Sequence, residues 1–181
     1  MIINAEREAI DQRWLPNAAL FSKMKIVVID DEPANISLLE AMLSEGGYTR
    51  VKTVTDSRLA METCVSFEPD LVLLDLMMPH VDGFTILESL RAAAGESFLP
   101  IIILTADANE TTKLRALRAG ATDFLLKPFD QLEVLLRMSN LLETRRLHLQ
   151  LDMQLAAYAD AVRERTSELR EAQLQLRKAE C

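Results

Sequence analysis

Cysteine is nearly absent from this sequence, which contains two such residues among 181. Cys64 and Cys181 lie far apart and match no zinc-binding spacing. This usage predicts neither a disulfide framework nor a zinc module, and it fits two reduced thiols in a cytoplasmic protein.

Long apolar runs and a surplus of basic residues are also missing. No stretch approaches the roughly 18 apolar residues of a membrane span, and the N-terminus lacks the charged start and apolar centre of a signal peptide. The net charge of −8 argues against the basic footprint of non-specific nucleic-acid binding. We expect a cytoplasmic protein with no membrane insertion and no direct nucleic-acid contact, whose acidic balance favours a cation site.

The sequence does contain a regular alternation of short apolar runs and helical segments from about residue 24 to residue 130. The apolar runs are typical of strands buried in a parallel sheet, and glycine or proline ends most of the helical segments. The predicted strands cover 25–29, 51–54, 71–75, 100–104 and 122–126, and the predicted helices cover 33–45, 57–67, 84–94 and 109–118. Such alternation builds right-handed βαβ units, which predicts an α/β fold with a flavodoxin-like, doubly wound, five-stranded parallel sheet.

Polar residues stand at the carboxyl ends of four of these strands. Asp30 and Asp31 follow the first strand, Asp75 ends the third, Thr105 follows the fourth, and Lys127 follows the fifth. Ligands of open α/β sheets bind outside these strand ends, so we expect the side chains to meet there, with the oxygens of Asp75 facing solvent.

The chemistry of this set points to phosphoryl transfer. Three carboxylates suit Mg²⁺ with several waters retained, a lysine can neutralise a phosphoryl oxygen, and a threonine hydroxyl can donate to another. Together they can move a phosphoryl group onto a carboxylate, and the lack of a glycine-rich phosphate loop argues against a nucleotide substrate. Taken singly, Asp30 and Asp31 could cap a helix and Lys127 could be a solvated charge; the combination at successive strand ends favours a shared site.

With these residues in place, the sequence resembles the receiver domains of two-component response regulators over residues 24 to about 145. The resemblance rests on Asp30-Asp31, on Asp75 within Leu-Leu-Asp-Leu-Met-Met-Pro, and on Gly83, Thr105-Ala106, Phe124 and Lys127-Pro128-Phe129. It implies that Asp75 accepts a phosphoryl group from a sensor histidine kinase or phosphotransfer protein. It also implies Mg²⁺ bound through Asp31, Asp75 and the backbone carbonyl of Met77, with Asp30 assisting through water. The Lys127–Pro128 bond is expected to be cis.

The resemblance further implies a switch formed by Thr105 and Phe124. Phenylalanine replaces the tyrosine common in the family, so the ring is kept and its hydroxyl is lost. Phosphorylation is expected to draw Thr105 towards the phosphoryl group and to let Phe124 turn into the vacated space. Such a module catalyses its own phosphorylation and dephosphorylation and turns over no separate metabolite.

Residues 130–180 contain neither glycine nor proline and predict one long helix with a heptad pattern. One seam position holds Leu141, His148, Leu155, Val162, Leu169 and Leu176, and the other holds Thr144, Leu151, Tyr158, Arg165, Ala172 and Ala179. An apolar stripe of this length favours a parallel homodimeric coiled coil, whose geometry phosphorylation would switch.

These patterns divide the chain into an N-terminal extension (1–23), a receiver domain (24–145) and a coiled-coil linker helix (146–181). An alternative is that the chain is the N-terminal part of a larger regulator, because its last residues fall in mid-helix. The segment from Val162 resembles linkers that precede output domains in HD-GYP cyclic-di-GMP phosphodiesterases, kinases and diguanylate cyclases. A DNA-binding regulator is a weaker alternative, since the sequence has no helix-turn-helix pattern or basic face.

Overall fold

The computed structural model describes residues 21–107 and 109–179. Most of the predicted extension, residues 1–20, lies outside the described residues. Phe21, which belongs to that extension, is buried in the core, and its carbonyl accepts a hydrogen bond from the backbone N–H of Met24. The packed core therefore includes a residue from before the predicted domain start.

The described residues form five strands, five α-helices and one short 3₁₀ turn. The strands are β1 (Lys25–Ile29), β2 (Arg50–Val54), β3 (Leu71–Asp75), β4 (Ile101–Thr105) and β5 (Asp123–Leu126). The helices are α1 (Pro33–Glu45), α2 (Ala60–Phe67), α3 (Gly83–Ala94), α4 (Glu110–Arg118) and α5 (Gln131–Ala179), and the 3₁₀ turn Ser57–Leu59 precedes α2.

All neighbouring strands pair in parallel, in the order β2-β1-β3-β4-β5. Every residue of β3 and β4 is buried, because helices cover both faces of the sheet. Alternate residues of β1 enter two separate cores. Ile26 and Val28 pack with α1 and the start of α5, while Val27 and Ile29 pack with α2, α3 and α4. The predicted flavodoxin-like α/β fold is confirmed.

Local chemistry sets several helix ends. Pro33 begins α1, where its missing N–H has no partner to lose. The Asp82 carboxylate accepts a hydrogen bond from the N–H of Phe84 at the start of α3, and the Asn109 side chain does the same for Thr111 at the start of α4.

The fourth strand begins at Ile101 and ends at Thr105, one residue later at each end than the sequence predicts.

The described residues divide into two compact units, one ending at Arg145 and the other beginning at Arg146. In the second unit every described side chain is half-buried or exposed, including the large apolar residues on the predicted seams. Among the described residues, no helix combines the length and hydropathy that a bilayer crossing requires.

Candidate functional site

The order of the strands places a crevice between β1 and β3. The chain runs outward from β1 to β2 in one direction and from β3 to β5 in the other, so the helices that follow β1 and β3 lie on opposite faces of the sheet. Open α/β sheets bind ligands at the point where the strand order reverses direction in this way. Ile29 pairs with Leu74, and the next residues along each strand are Asp30 and Asp75.

Three carboxylates converge at this crevice. One oxygen each from Asp30, Asp31 and Asp75 lies within 4.8 Å of the others. Asp30 is 0% exposed and Asp75 is 4% exposed, whereas Asp31 is half-buried. The predicted acidic cluster is therefore present, with two of its members held inside the domain.

Lys127 bridges the two buried carboxylates. Its Nζ donates to Oδ2 of Asp30 at 2.8 Å and to Oδ2 of Asp75 at 2.7 Å. Burial by itself lowers the pKa of Lys127, but the two carboxylates outweigh it and leave that pKa above its usual value. The ammonium group thus stays charged and screens the repulsion between Asp30 and Asp75.

The sequence predicts that the oxygens of Asp75 face solvent, but in the structure they are largely shielded from it. Oδ2 meets Lys127, and Oδ1 accepts a hydrogen bond of 3.0 Å from the backbone N–H of Met77. Burial leaves the pKa of Asp75 above its usual value, although both of these hydrogen bonds lower it. Asp75 still borders the cleft outside the sheet, together with Asp31, Met77, Ala106, Lys127 and the start of α1.

The chemistry of this cleft fits a divalent cation. Three carboxylates and one ammonium group leave two uncompensated negative charges. Among the described residues, no side chain pairs with the carboxylate of Asp31, which borders the cleft. Carboxylate oxygens with room for water are the ligands that Mg²⁺ prefers, so the residues present suit this ion.

The loop that follows Asp75, residues 76–82, is closely fixed to its surroundings. The N–H of Gly83 donates to the carbonyl of Leu76 at 3.2 Å, and a Cβ at Gly83 would overlap the backbone of Asp75 and Leu76. The close approach of these backbones explains a glycine at the first position of α3. Met77 stands alongside the cleft with its side chain 80% exposed.

The two residues of the predicted switch, Thr105 and Phe124, are not among the residues that line this cleft, although Ala106, the neighbour of Thr105, is. The hydroxyl of Thr105 is buried and accepts a hydrogen bond of 3.0 Å from the N–H of Asp107. The backbone carbonyl of Thr105 accepts a hydrogen bond of 2.8 Å from the backbone N–H of Lys127. Phe124 is half-buried in β5, with the Nζ of Lys113 4.4 Å above its ring. Thr105 keeps a hydroxyl proton to donate, because its oxygen is the acceptor in the bond with Asp107.

Sequence reasoning missed two polar residues near the site. Asn35 on α1 donates from Nδ2 to both oxygens of Asp30, at 3.1 and 3.0 Å, and to Glu32. Ser57 holds the loop after Asp75 by two hydrogen bonds. Neither residue lies within two residues of a strand end, so the pattern that identified the carboxylates could not identify them. The cis Lys127–Pro128 bond, by contrast, is present as predicted.

Comparison with known proteins supports these findings. The family model of the response regulator receiver domain matches residues 26–139. Among curated proteins, the chain is 39% identical over 118 residues to the DNA-binding dual master transcriptional regulator RpaA of Synechocystis, covering 65% of this chain and 48% of that protein. The chain spans about half or less of the length of the curated relatives it matches.

Solved structures give the same result. A receiver domain of a sensor histidine kinase from Pseudomonas aeruginosa PAO1, with magnesium in its active-site cleft, is 32% identical with a TM-score of 0.61, covering 66% of this chain and 98% of that one. A probable two-component system response regulator/GGDEF domain protein is 28% identical with a TM-score of 0.68, covering 74% and 55%. The likeness thus extends from sequence to fold.

Proposed function

The chain belongs to the response regulator receiver domain family, and from this premise we propose that Asp75 is its phosphoacceptor. The observation that carries the proposal is the bridge from Lys127 to Asp75 and Asp30 beside the third carboxylate, Asp31. The ammonium group of Lys127 and the N–H of Met77 fix the oxygens of Asp75 and favour its ionised form against the effect of burial. A fixed, ionised carboxylate at the edge of a cleft is a nucleophile for a phosphoryl group.

The reaction can be written in full. An oxygen of Asp75 attacks the phosphorus of a phosphohistidine, a P–O bond forms, the P–N bond breaks, and the electron pair returns to the imidazole nitrogen. Lys127 lies close enough to Asp75 to neutralise charge on the transferred group, and the hydroxyl of Thr105 has a proton to donate to a phosphoryl oxygen. The partner we propose is a sensor histidine kinase or a phosphotransfer protein.

We assign the cation site to Asp31, Asp75 and the backbone carbonyl of Met77, with Asp30 acting through water. Mg²⁺ bound there would offset negative charge on the incoming phosphoryl group. Three features support this assignment: the clustering of the carboxylates, the absence of a side-chain partner for Asp31 among the described residues, and the magnesium in the related receiver domain. Thr105 and Phe124 form the proposed switch that responds to the modified Asp75.

Removal of the metal tests this function. With a small-molecule phosphodonor and Mg²⁺, we expect the intact chain to gain the mass of one phosphoryl group. With EDTA in place of Mg²⁺, the gain is expected to fall by on the order of a hundredfold, because Lys127 alone then offsets the negative charge of the carboxylates and the approaching phosphate. Equal incorporation with EDTA would contradict the metal assignment, and no incorporation in either buffer would contradict the function.

We further propose that residues 146–179 pair with a second copy of this chain as a coiled coil. Leu155, Val162, Leu169 and Leu176 share one seam position and are all exposed, which leaves an apolar stripe without a partner in one copy. In this proposal phosphorylation alters the geometry of the dimer. The chain's own reaction is limited to its phosphorylation and dephosphorylation, and an enzymatic output domain would belong to a longer protein.

A matched pair of variants tests the dimer. Leu169 lies on the seam and Leu174 lies off it, although both side chains are about 60% exposed. Leu169→Glu is expected to raise the dimer dissociation constant by at least about tenfold, since on each helix a charge replaces a leucine that the proposed dimer would bury. Leu174→Glu should leave the dissociation constant unchanged. Sedimentation equilibrium measures both. A monomeric wild type, or equal effects of the two variants, would overturn the proposal.

A further inference from the structure

Ser57 is a buried polar residue that the proposed chemistry does not use. It is 4% exposed and begins the 3₁₀ turn after β2, so it lies on a different segment of the chain from the loop of residues 76–82 that follows Asp75. Its hydroxyl donates to the carbonyl of Pro79 at 2.6 Å and accepts from the N–H of Val81 at 3.0 Å. One hydroxyl therefore bonds to two backbone groups in the middle of the 76–82 loop.

Other contacts also hold this part of the loop: the N–H of Val81 donates to the carbonyl of Pro79 at 2.9 Å, and the side chains of Met78 and Val81 pack against the core. The side chains of Met77, Pro79 and His80 are exposed, and His80 has a φ of 72°, in the left-handed region that non-glycine residues rarely occupy. Exposed side chains contribute little packing that could hold such a backbone. The bonds to Ser57 hold it from outside the loop, in the two residues on either side of His80.

The turn that carries Ser57 is itself well fixed. The carboxylate of Asp56 accepts a hydrogen bond of 3.0 Å from the N–H of Arg58 and pairs with its guanidinium group at 2.7 Å. The N–H of Leu59 donates to the carbonyl of Asp56 at 2.9 Å. The backbone that carries Ser57 is therefore held by hydrogen bonds within its own turn, which restricts where the Ser57 hydroxyl can lie.

We propose that Ser57 is a positioning residue for the cation site: its two hydrogen bonds fix the loop so that the backbone of Met77 stays beside Asp75. Met77 is joined to Asp75 through its N–H and lies two residues before Pro79, so the loop is held at both places. The inference rests on the proposed function, because it gives the Met77 carbonyl a role as a ligand. Residues that orient ligands in this way affect metal affinity without touching the metal.

The test measures Mg²⁺ affinity by isothermal titration calorimetry of the full chain. Ser57→Ala is expected to weaken binding by about tenfold, the lower end of the range for loss of a group that orients a ligand. The matched control is Thr122→Val, because the hydroxyl of Thr122 also accepts a backbone N–H, from Ile101 at 3.1 Å, but at the opposite end of the sheet. The control is expected to lower the melting temperature and to leave Mg²⁺ affinity unchanged.

Hydrogen exchange without metal provides a second readout. In Ser57→Ala the amides of Met77 and Val81 should exchange faster, while amides of β3 should keep the wild-type rate. Wild-type affinity in Ser57→Ala, or equal weakening in Thr122→Val, would overturn the role of Ser57 alone. A wild-type chain that binds no Mg²⁺ would overturn the proposed function as well, so the two failures are distinguishable.

Discussion

Asp75→Asn is expected to lower phosphoryl incorporation by on the order of a hundredfold or more, because an amide oxygen is a far weaker nucleophile than a carboxylate. The single amide oxygen of the asparagine can still accept the hydrogen bond from Met77, and Lys127 keeps its bond to Asp30, so the fold should survive the change. Incorporation is measured by intact mass after treatment with a small-molecule phosphodonor and Mg²⁺. Peptide mapping of the wild-type chain should place the label on Asp75.

Asp107→Asn is the matched control for this experiment. Asp107 follows β4 at the same edge of the sheet, but its carboxylate is exposed and bonds to the N–H of Asn109 and to Thr112. Its loss should leave incorporation at the wild-type level. Equal labelling of the Asp75→Asn variant and the wild type would show that another group accepts the phosphoryl, and the site assignment would then be wrong.

Lys127→Met is expected to lower the free energy of unfolding by about 3 kcal/mol in metal-free buffer at neutral pH, as is typical when a buried charge loses its partner. Asp30 is fully buried and Asp75 nearly so, and each would lose its hydrogen bond to the ammonium group. The expected loss is at the lower end of the usual range because the lysine side chain is itself 18% exposed. Urea denaturation measures the change.

The control for this prediction is Lys25→Met, at the opposite end of the sheet. Lys25 pairs with the exposed Glu68 at 3.6 Å and donates to the carbonyl of Phe67. Its replacement should cost about 1 kcal/mol or less, because the partner charge remains in water. Mg²⁺ should stabilise Lys127→Met more than the wild type, since the cation replaces the missing charge. Equal losses in the two variants would contradict a special role for the Lys127 bridge.

The sequence sufficed to predict the fold because its determinants are local. Each strand is a short apolar run, each helix has a recognisable beginning or end, and the alternation of the two leaves a parallel sheet as the consistent solution. The position of Asp75 at the end of β3 followed from the run Leu71–Leu74 alone. The convergence of the carboxylates and Lys127 followed from topology, because the carboxyl ends of parallel strands meet at one edge.

Other features depended on contacts between segments distant in the chain, which leave no periodic mark in the sequence. Lys127 and Asp30 are 97 residues apart, and nothing in either segment specifies that one ammonium group bridges Asp30 and Asp75. The same holds for Ser57, which meets Pro79 from 22 residues away, and for the burial of Phe21 and Asp75. The sequence by itself determined which elements form and which residues reach the sheet edge. Only the tertiary structure decided how those side chains bond, because packing sets their separations and the access of water.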